Sequence, residues 1–518
     1  MSPSDPMDAA DGLASRLREA LTAAEFTVDR VAEVLGTTGH AALSRNETLP
    51  GLRATGGGTP AETLIRLWLL QAPVPASAVE QALPGLLDPL CTTGMLERSV
   101  GEVRARVDVR PYAADDLDLW VTSDLTPGLD GGAARVSPDH VLGISSAATS
   151  LAQLTVRQPV DRALDLGTGC GVQSLHLATH ARHVVATDVN QRALRLTRFN
   201  AELNGVADRI EVRAGSFFEP VAGEQFDLVA SNPPFVISPA TGERLVYRDS
   251  GLPGDRVVEH IVRGVPRHLR EGGTAQVLAN WMVVRGQSWE ERLSSWIASA
   301  DSGLTCDAWV VQREVVDLPT YVELWLKDAG LHPSTAAGQT VADYHERYDT
   351  WLSWFEEQGA EAVGFGWINL RRVDTASPTV RLEHWPYDVE QPIGPEVSGL
   401  LERIALLREL PDDALGAARL VTRADVRQET YGAPGAADPE EIVLRQQRRV
   451  RRARQVDTVE AALVGACDGE LSVLQILDAL ADLLDQDAGE VRATYLPVVR
   501  GLVAEGFLEL AAPAPAVS

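Results

Sequence analysis

Asp165-Leu-Gly-Thr-Gly-Cys-Gly171 closes an apolar run, Arg162-Ala-Leu-Asp-Leu166, and opens an amphipathic one from Val172 to Ala178. Strand, glycine turn and helix in that order let backbone come close to a nucleotide-like ligand. Dinucleotide enzymes and ordinary structural turns share the pattern, so its neighbours must decide. His183-Val-Val-Ala-Thr-Asp188 is one such neighbour, a second apolar strand ending in a carboxylate. It lies about 20 residues on, where a ribose diol would sit. Phe226-Asp-Leu-Val-Ala-Ser231 is a further apolar strand, and it runs straight into Asn232-Pro-Pro-Phe235.

With these motifs in this order, the chain resembles the class I S-adenosylmethionine-dependent methyltransferases. The similarity is to the subgroup with an Asn-Pro-Pro-aromatic tetrapeptide, the methyltransferase small domain, which includes rRNA base and release-factor glutamine N-methyltransferases. It covers residues 140–315 and extends to 361–373. The resemblance implies an α/β fold: a doubly wound, Rossmann-like, seven-stranded sheet with S-adenosyl-L-methionine as cofactor. It places Asp165, Gly167, Thr168, Gly169 and Gly171 at the cofactor's amino-acid end or holding the loop there, and Asp188 on the ribose. Ser216, in Ala214-Gly-Ser-Phe217, falls at the adenine edge, where the family commonly has an acidic residue. Asp139 to Ala148 would cover the methionine end, with His140 a loop or core histidine.

The tetrapeptide carries the chemistry. A nitrogen attached to planar carbon is a poor nucleophile because its lone pair is delocalised. The Asn232 side-chain oxygen and the Pro233 carbonyl can accept its two N–H groups and draw it toward tetrahedral geometry. Those bonds strengthen as positive charge develops, which raises kcat. Pro233 and Pro234 stiffen the loop, and Phe235 offers a face on which a base or amide plane can stack. Downstream, Arg248 and Asp249 in Tyr247-Arg-Asp-Ser-Gly-Leu-Pro-Gly-Asp255 are candidate substrate contacts.

At 518 residues the chain exceeds one hydrophobic core. No apolar run approaches the ~20 residues of a membrane span. Met1-Ser-Pro-Ser-Asp-Pro6 has no signal-peptide character, and Cys91, Cys170, Cys306 and Cys467 are too scattered for a disulfide framework or a zinc site. A cytoplasmic protein without a metal is expected. The net charge of −27 opposes a simple nucleic-acid-coating role unless a local basic surface exists.

Residues 1–110 read as a mainly helical, winged-helix-like domain, with leucines at helical spacing from Leu13 and an alternating stretch at 103–109. A linking strand and the cofactor-covering segment occupy 111–160. The methyltransferase domain spans 161–373, with a helical insertion at about 316–360, and 374–439 is a connector. A second winged-helix-like domain fills 440–518, led by a helix from Glu440 to Arg454 whose Arg448 and Arg452 are candidate phosphate contacts. On these grounds the first expectation is N-methylation of an exocyclic amine of an RNA base, with RNA or ribonucleoprotein as partner. The alternatives are a protein glutamine amide, a small molecule, or a cofactor-binding regulator without catalysis.

Overall fold

The computed structural model describes residues 12–114, 117–131, 137–234, 236–239, 252–300, 302–333, 340–434 and 439–511. The chain forms two compact units, the first ending at Trp385 and the second beginning at Pro386, with 153–156 and 307–309 counted to the second. Among the described residues no helix is long and apolar enough to cross a membrane, and no group of His, Cys, Asp and Glu is placed to hold a metal.

The first unit is built on β1 (Val160–Leu166), β2 (Ala181–Asp188), β3 (Ile210–Ala214), β4 (Phe226–Ser231), β5 (Leu269–Val284), β6 (Thr305–Asp317), β7 (Ala360–Val373) and β8 (Val380–His384). They form one sheet in the order β8-β6-β7-β5-β4-β1-β2-β3. Strands β1 to β5 pair with one another in parallel, and β7 runs antiparallel to β5. Helices α1 (Val172–Leu177), α2 (Gln191–Leu203), α3 (Arg256–His268) and α4 (Trp289–Ala298) connect the strands. The continuous apolar runs of β1, β2 and β4 are what a sheet covered on both faces demands. The sheet has eight strands rather than the expected seven. Val380–His384, placed by its sequence in a connector, is half-buried along its length and forms an edge, so it carries no apolar signature.

Two helices, α5 (Leu318–Asp328) and α6 (Val341–Glu357), lie between β6 and β7. Their aromatics form a separate core that includes Tyr321, Trp325, Trp351 and Phe355. Ahead of the sheet come helices at Leu13–Ala23, Val28–Leu43, Leu49–Ala54, Ala76–Ala82 and Leu87–Thr92. A small sheet pairs Val74–Pro75 and Leu96–Ser99 with Glu102–Ala105. A hairpin, Asp108–Ala114 with Leu117–Ser123, follows.

Helix α2 holds this hairpin through two asparagines one turn apart. Asn200 Nδ2 donates to the Thr122 carbonyl at 2.8 Å while its Oδ1 accepts from the Thr122 N–H at 2.8 Å. Asn204 makes the same pair with Trp120 at 2.8 and 2.9 Å. Four residues of helix rise about 6 Å and two residues of strand span about 6.6 Å, so the amides match the strand's repeat. On its neighbouring stripe α2 buries Phe199 and Leu203 in the N-terminal core.

In the second unit the expected arginine helix is absent. Glu441–Gln446 and Ala453–Val456 are antiparallel strands, with Ile442 opposite Val456 and Arg445 opposite Ala453. Ile442, Leu444 and Gln446 point inward, a period of two that the density of arginine conceals. Residues assigned to a connector also supply the helix Gly394–Glu409 and the strands Arg419–Thr422 and Val426–Tyr431. Helices Thr458–Ala466, Val473–Leu484 and Ala488–Ala504 pack into its core.

Candidate active site

Strands β2, β1 and β4 are adjacent, and Leu166 pairs with Thr187 on one side and Ser231 on the other. The glycine loop, Asp188 and Asn232 therefore leave the sheet at one level. This lies at the carboxyl ends of the strands, beside the point where strand order reverses, where open α/β sheets bind ligands. The Ser231 hydroxyl donates to the Leu166 carbonyl at 2.8 Å and ties the two loops together at their roots.

The loop itself is held from both sides. Gly167 and Thr168 N–H donate to the Thr187 carbonyl at 3.0 and 2.9 Å. Gly169 has φ +57°, and a Cβ there would meet nothing within 4 Å, so the loop presents bare backbone to open space. Gly171 is required for another reason: its φ is +88° and a Cβ would come within 3.1 Å of Thr197 on α2. Asn200 Nδ2, besides bonding the hairpin, donates to the Cys170 carbonyl at 2.7 Å, and Thr197 Oγ1 donates to that of Gly169 at 3.0 Å.

Asp188 accepts one backbone N–H on each oxygen, from Gly169 at 3.0 Å and Asn190 at 2.9 Å. Burial pushes its pKa up, against those two bonds. Asp165 is more deeply placed, with one carboxylate oxygen accepting from the Thr168 and Ser174 hydroxyls at 2.7 and 2.6 Å. Burial pushes it to about 6. Asn232 Oδ1 is shielded from solvent and, among the described residues, accepts no hydrogen bond. A buried acceptor left so is costly, and an incoming N–H would satisfy it.

The glycine loop, Asp188 and Asn232 share one cavity of about 1120 Å³. Its lining includes Asp139, His140, Gly167, Thr168, Gly169, Asp188, Asn190, Ser216, Phe217, Asn232, Pro233 and Pro234. That exceeds the roughly 300–1,000 Å³ of a typical small-ligand site and leaves room for two reactants. The covering segment is pinned to α2: Asn190 Nδ2 donates to the Asp139 carbonyl at 2.9 Å, and Asp124 accepts from the Val141 N–H at 2.7 Å while pairing with Arg192.

Residues 144–296 match the family model described as methyltransferase small domain. This stretch is a methyltransferase small domain. Among curated relatives, the release factor glutamine methyltransferase of Aquifex aeolicus is 38% identical over 128 residues, 22% of this chain and 46% of that protein. Its counterpart from Cereibacter sphaeroides is 34% identical over 134 residues, 24% and 48%. The ribosomal protein uL3 glutamine methyltransferase of Bradyrhizobium diazoefficiens is 29% identical over 154 residues, 28% and 48%. The chain spans about half the length of these relatives. Domains of unknown function match on either side, DUF7059 at residues 23–106 and DUF7782 at residues 398–510.

S-adenosyl-L-methionine, the cofactor of this domain, fits the residues present. Bare backbone at Gly169 can take the amino-acid portion, the Asp188 carboxylate a ribose diol, and Ser216 with Phe217 the base. Of the two roles open to Asp165, its contacts are those of holding the loop: it lies beneath the loop and outside the cavity lining, where it fixes Thr168 and the start of α1. Phe235, Arg248 and Asp249 fall outside the described residues.

Arg448 and Arg452 belong to the C-terminal unit and do not sit on a helix. Arg448 pairs with Glu390 at 3.1 Å, and Arg452 is buried. Neighbouring Arg445 pairs with Glu429 at 2.8 Å, and Arg454 with Glu460 and Glu505 at 3.5 and 3.3 Å. Arg445, Arg448 and Arg454 thus pair with this unit's own carboxylates, and the arginine-bearing helix expected to carry the phosphate contacts is replaced by strands.

Sequence reasoning missed Phe217, Asn190, Leu324 and Trp325, all of which line the cavity. Phe217 has φ +47°, a strained conformation for a bulky residue, and packs on His260 with ring centroids 4.6 Å apart. Nothing in its local sequence signals this. Asn190 could have been found as the N-cap of α2, where its side chain accepts from Arg192 N–H.

Proposed function

We propose that this protein transfers a methyl group from S-adenosyl-L-methionine to the side-chain amide nitrogen of a glutamine in a protein. The observation that carries it is the unpartnered, buried Asn232 Oδ1 at the cavity, one residue beyond the Leu166–Ser231 pairing that aligns it with the glycine loop. When bound, the cofactor supplies an electrophilic sulfonium methyl, whose carbon–sulfur bond breaks as the nitrogen lone pair attacks. Asn232 Oδ1 and the Pro233 carbonyl accept the two N–H groups of the amide and aim that lone pair. Neither acceptor need be a strong base, because the methylated nitrogen releases its extra proton to water. Asp188 and the glycine loop hold the cofactor, and Asp165 holds the loop.

A protein amide is favoured over an RNA base on two grounds. The relatives above are glutamine methyltransferases by name, and the arginines that would have tracked phosphates pair with carboxylates. On this reading the flanking domains are docking modules for a protein acceptor. The test uses tritiated cofactor with three acceptors: a bacterial release factor, ribosomal protein uL3 and total RNA. Label in protein that alkaline hydrolysis liberates as methylamine supports the reading. Label that only ribonuclease releases overturns it in favour of a base.

A further inference from the structure

One stripe of α5 follows the i, i+3, i+4, i+7 spacing of a single helical face: Tyr321, Leu324, Trp325 and Asp328. Leu324, Trp325 and Asp328 line the cavity that holds Gly169 and Asn232. Tyr321 lies beneath them, fully buried, with Phe355 and Phe365 at ring-centroid distances of 6.0 and 5.9 Å. Its Oη accepts the N–H of Ile237 at 2.8 Å, two residues beyond Phe235. Burial raises its pKa and keeps it protonated.

Topology gives this face a side. The residues that fit the cofactor follow β1, β2 and β3, Asn232 follows β4, and α5 follows β6 on the other side of β4 in the sheet order. Leu324 lines the cavity and is 49% exposed, so its side chain is accessible to a ligand there.

We infer that α5 is the acceptor-side wall of the active site. Tyr321 is a positioning residue that fixes the exit of the catalytic loop. Leu324 and Trp325 pack on the peptide segment carrying the target glutamine and set which residues can flank it. This rests on the amide reading above.

The experiment uses the full chain, tritiated cofactor and two sets of glutamine peptides, with leucine or with glutamate beside the glutamine. Wild type should favour the leucine set by at least tenfold in kcat/KM. Leu324→Glu, at an exposed position that does not threaten folding, should raise KM for the leucine set at least tenfold, with cofactor Kd from calorimetry within twofold. Tyr321→Phe should lower kcat about tenfold with KM and cofactor Kd nearly unchanged. Peptide labelling in which Leu324→Glu keeps the wild-type KM and preference, or in which both variants weaken the cofactor as much as the peptide, overturns the wall while leaving the amide reading intact. A wild type that labels no glutamine, in peptides or in the protein acceptors above, removes the amide reading and this inference together; labelling of the proteins with the same KM in wild type and Leu324→Glu overturns the wall alone.

Discussion

Asn200→Ala tests whether the N-terminal hairpin and the cofactor loop share one support. The side chain makes three buried hydrogen bonds, to the Thr122 N–H, the Thr122 carbonyl and the Cys170 carbonyl, at 2.7–2.8 Å. Truncation leaves all three groups unpaired, at about 1–3 kcal/mol each if nothing replaces the lost partner. Water entering the space would repay part, so a loss of roughly 3–5 kcal/mol is expected. That is a large share of the ~5–15 kcal/mol stability of a domain, so a control is needed. Asn204→Ala removes the equivalent pair with Trp120 but touches neither Cys170 nor the glycine loop. Urea unfolding should show both variants destabilised. Calorimetric titration should show cofactor Kd weakened at least fivefold in Asn200→Ala and within twofold of wild type in Asn204→Ala. Equal weakening in both, or none in Asn200→Ala, would refute the idea that Asn200 positions the loop through Cys170.

Three further outcomes follow from the site. Asn232→Ala should lower turnover roughly 100-fold or more by removing a transition-state acceptor, with cofactor affinity within a few fold, checked by labelled methyl transfer beside calorimetry. Asp188→Ala should do the reverse, weakening the cofactor by roughly 1–3 kcal/mol; an unchanged Kd would remove Asp188 from the ribose site. Asp165 titrates near 6 in the folded state against about 3.9 unfolded, so the fold prefers its protonated form. Its contribution is therefore fully present below the unfolded value and declines by roughly 3 kcal/mol as pH rises through the folded one. Asp165→Asn should lack that slope, and its stability relative to wild type should improve from pH 4 to 7 in denaturant titrations. Parallel curves would disprove it.

The central fold was legible because buried parallel strands and tight glycine turns are local facts. Leu164, Leu166, Val184, Val185 and Val229 had to be apolar runs whatever packed on them, and Gly171 had to be glycine to pass Thr197. The arginine stretch misled because charge density masked a period-two burial pattern. Val380–His384 was invisible because an edge strand needs no apolar face.

By itself the sequence located the candidate site, since Asn232, Asp188 and the glycine loop each stand at the carboxyl end of their own strand. Tertiary structure alone decided what surrounds it. That Asp165 serves the loop from below, that Asn200 braces it against a hairpin 78 residues away, and that Leu324 reaches the same cavity as Asn232 depend on contacts between distant segments. Such contacts are set by sheet order and helix rotation, which no short window of residues encodes.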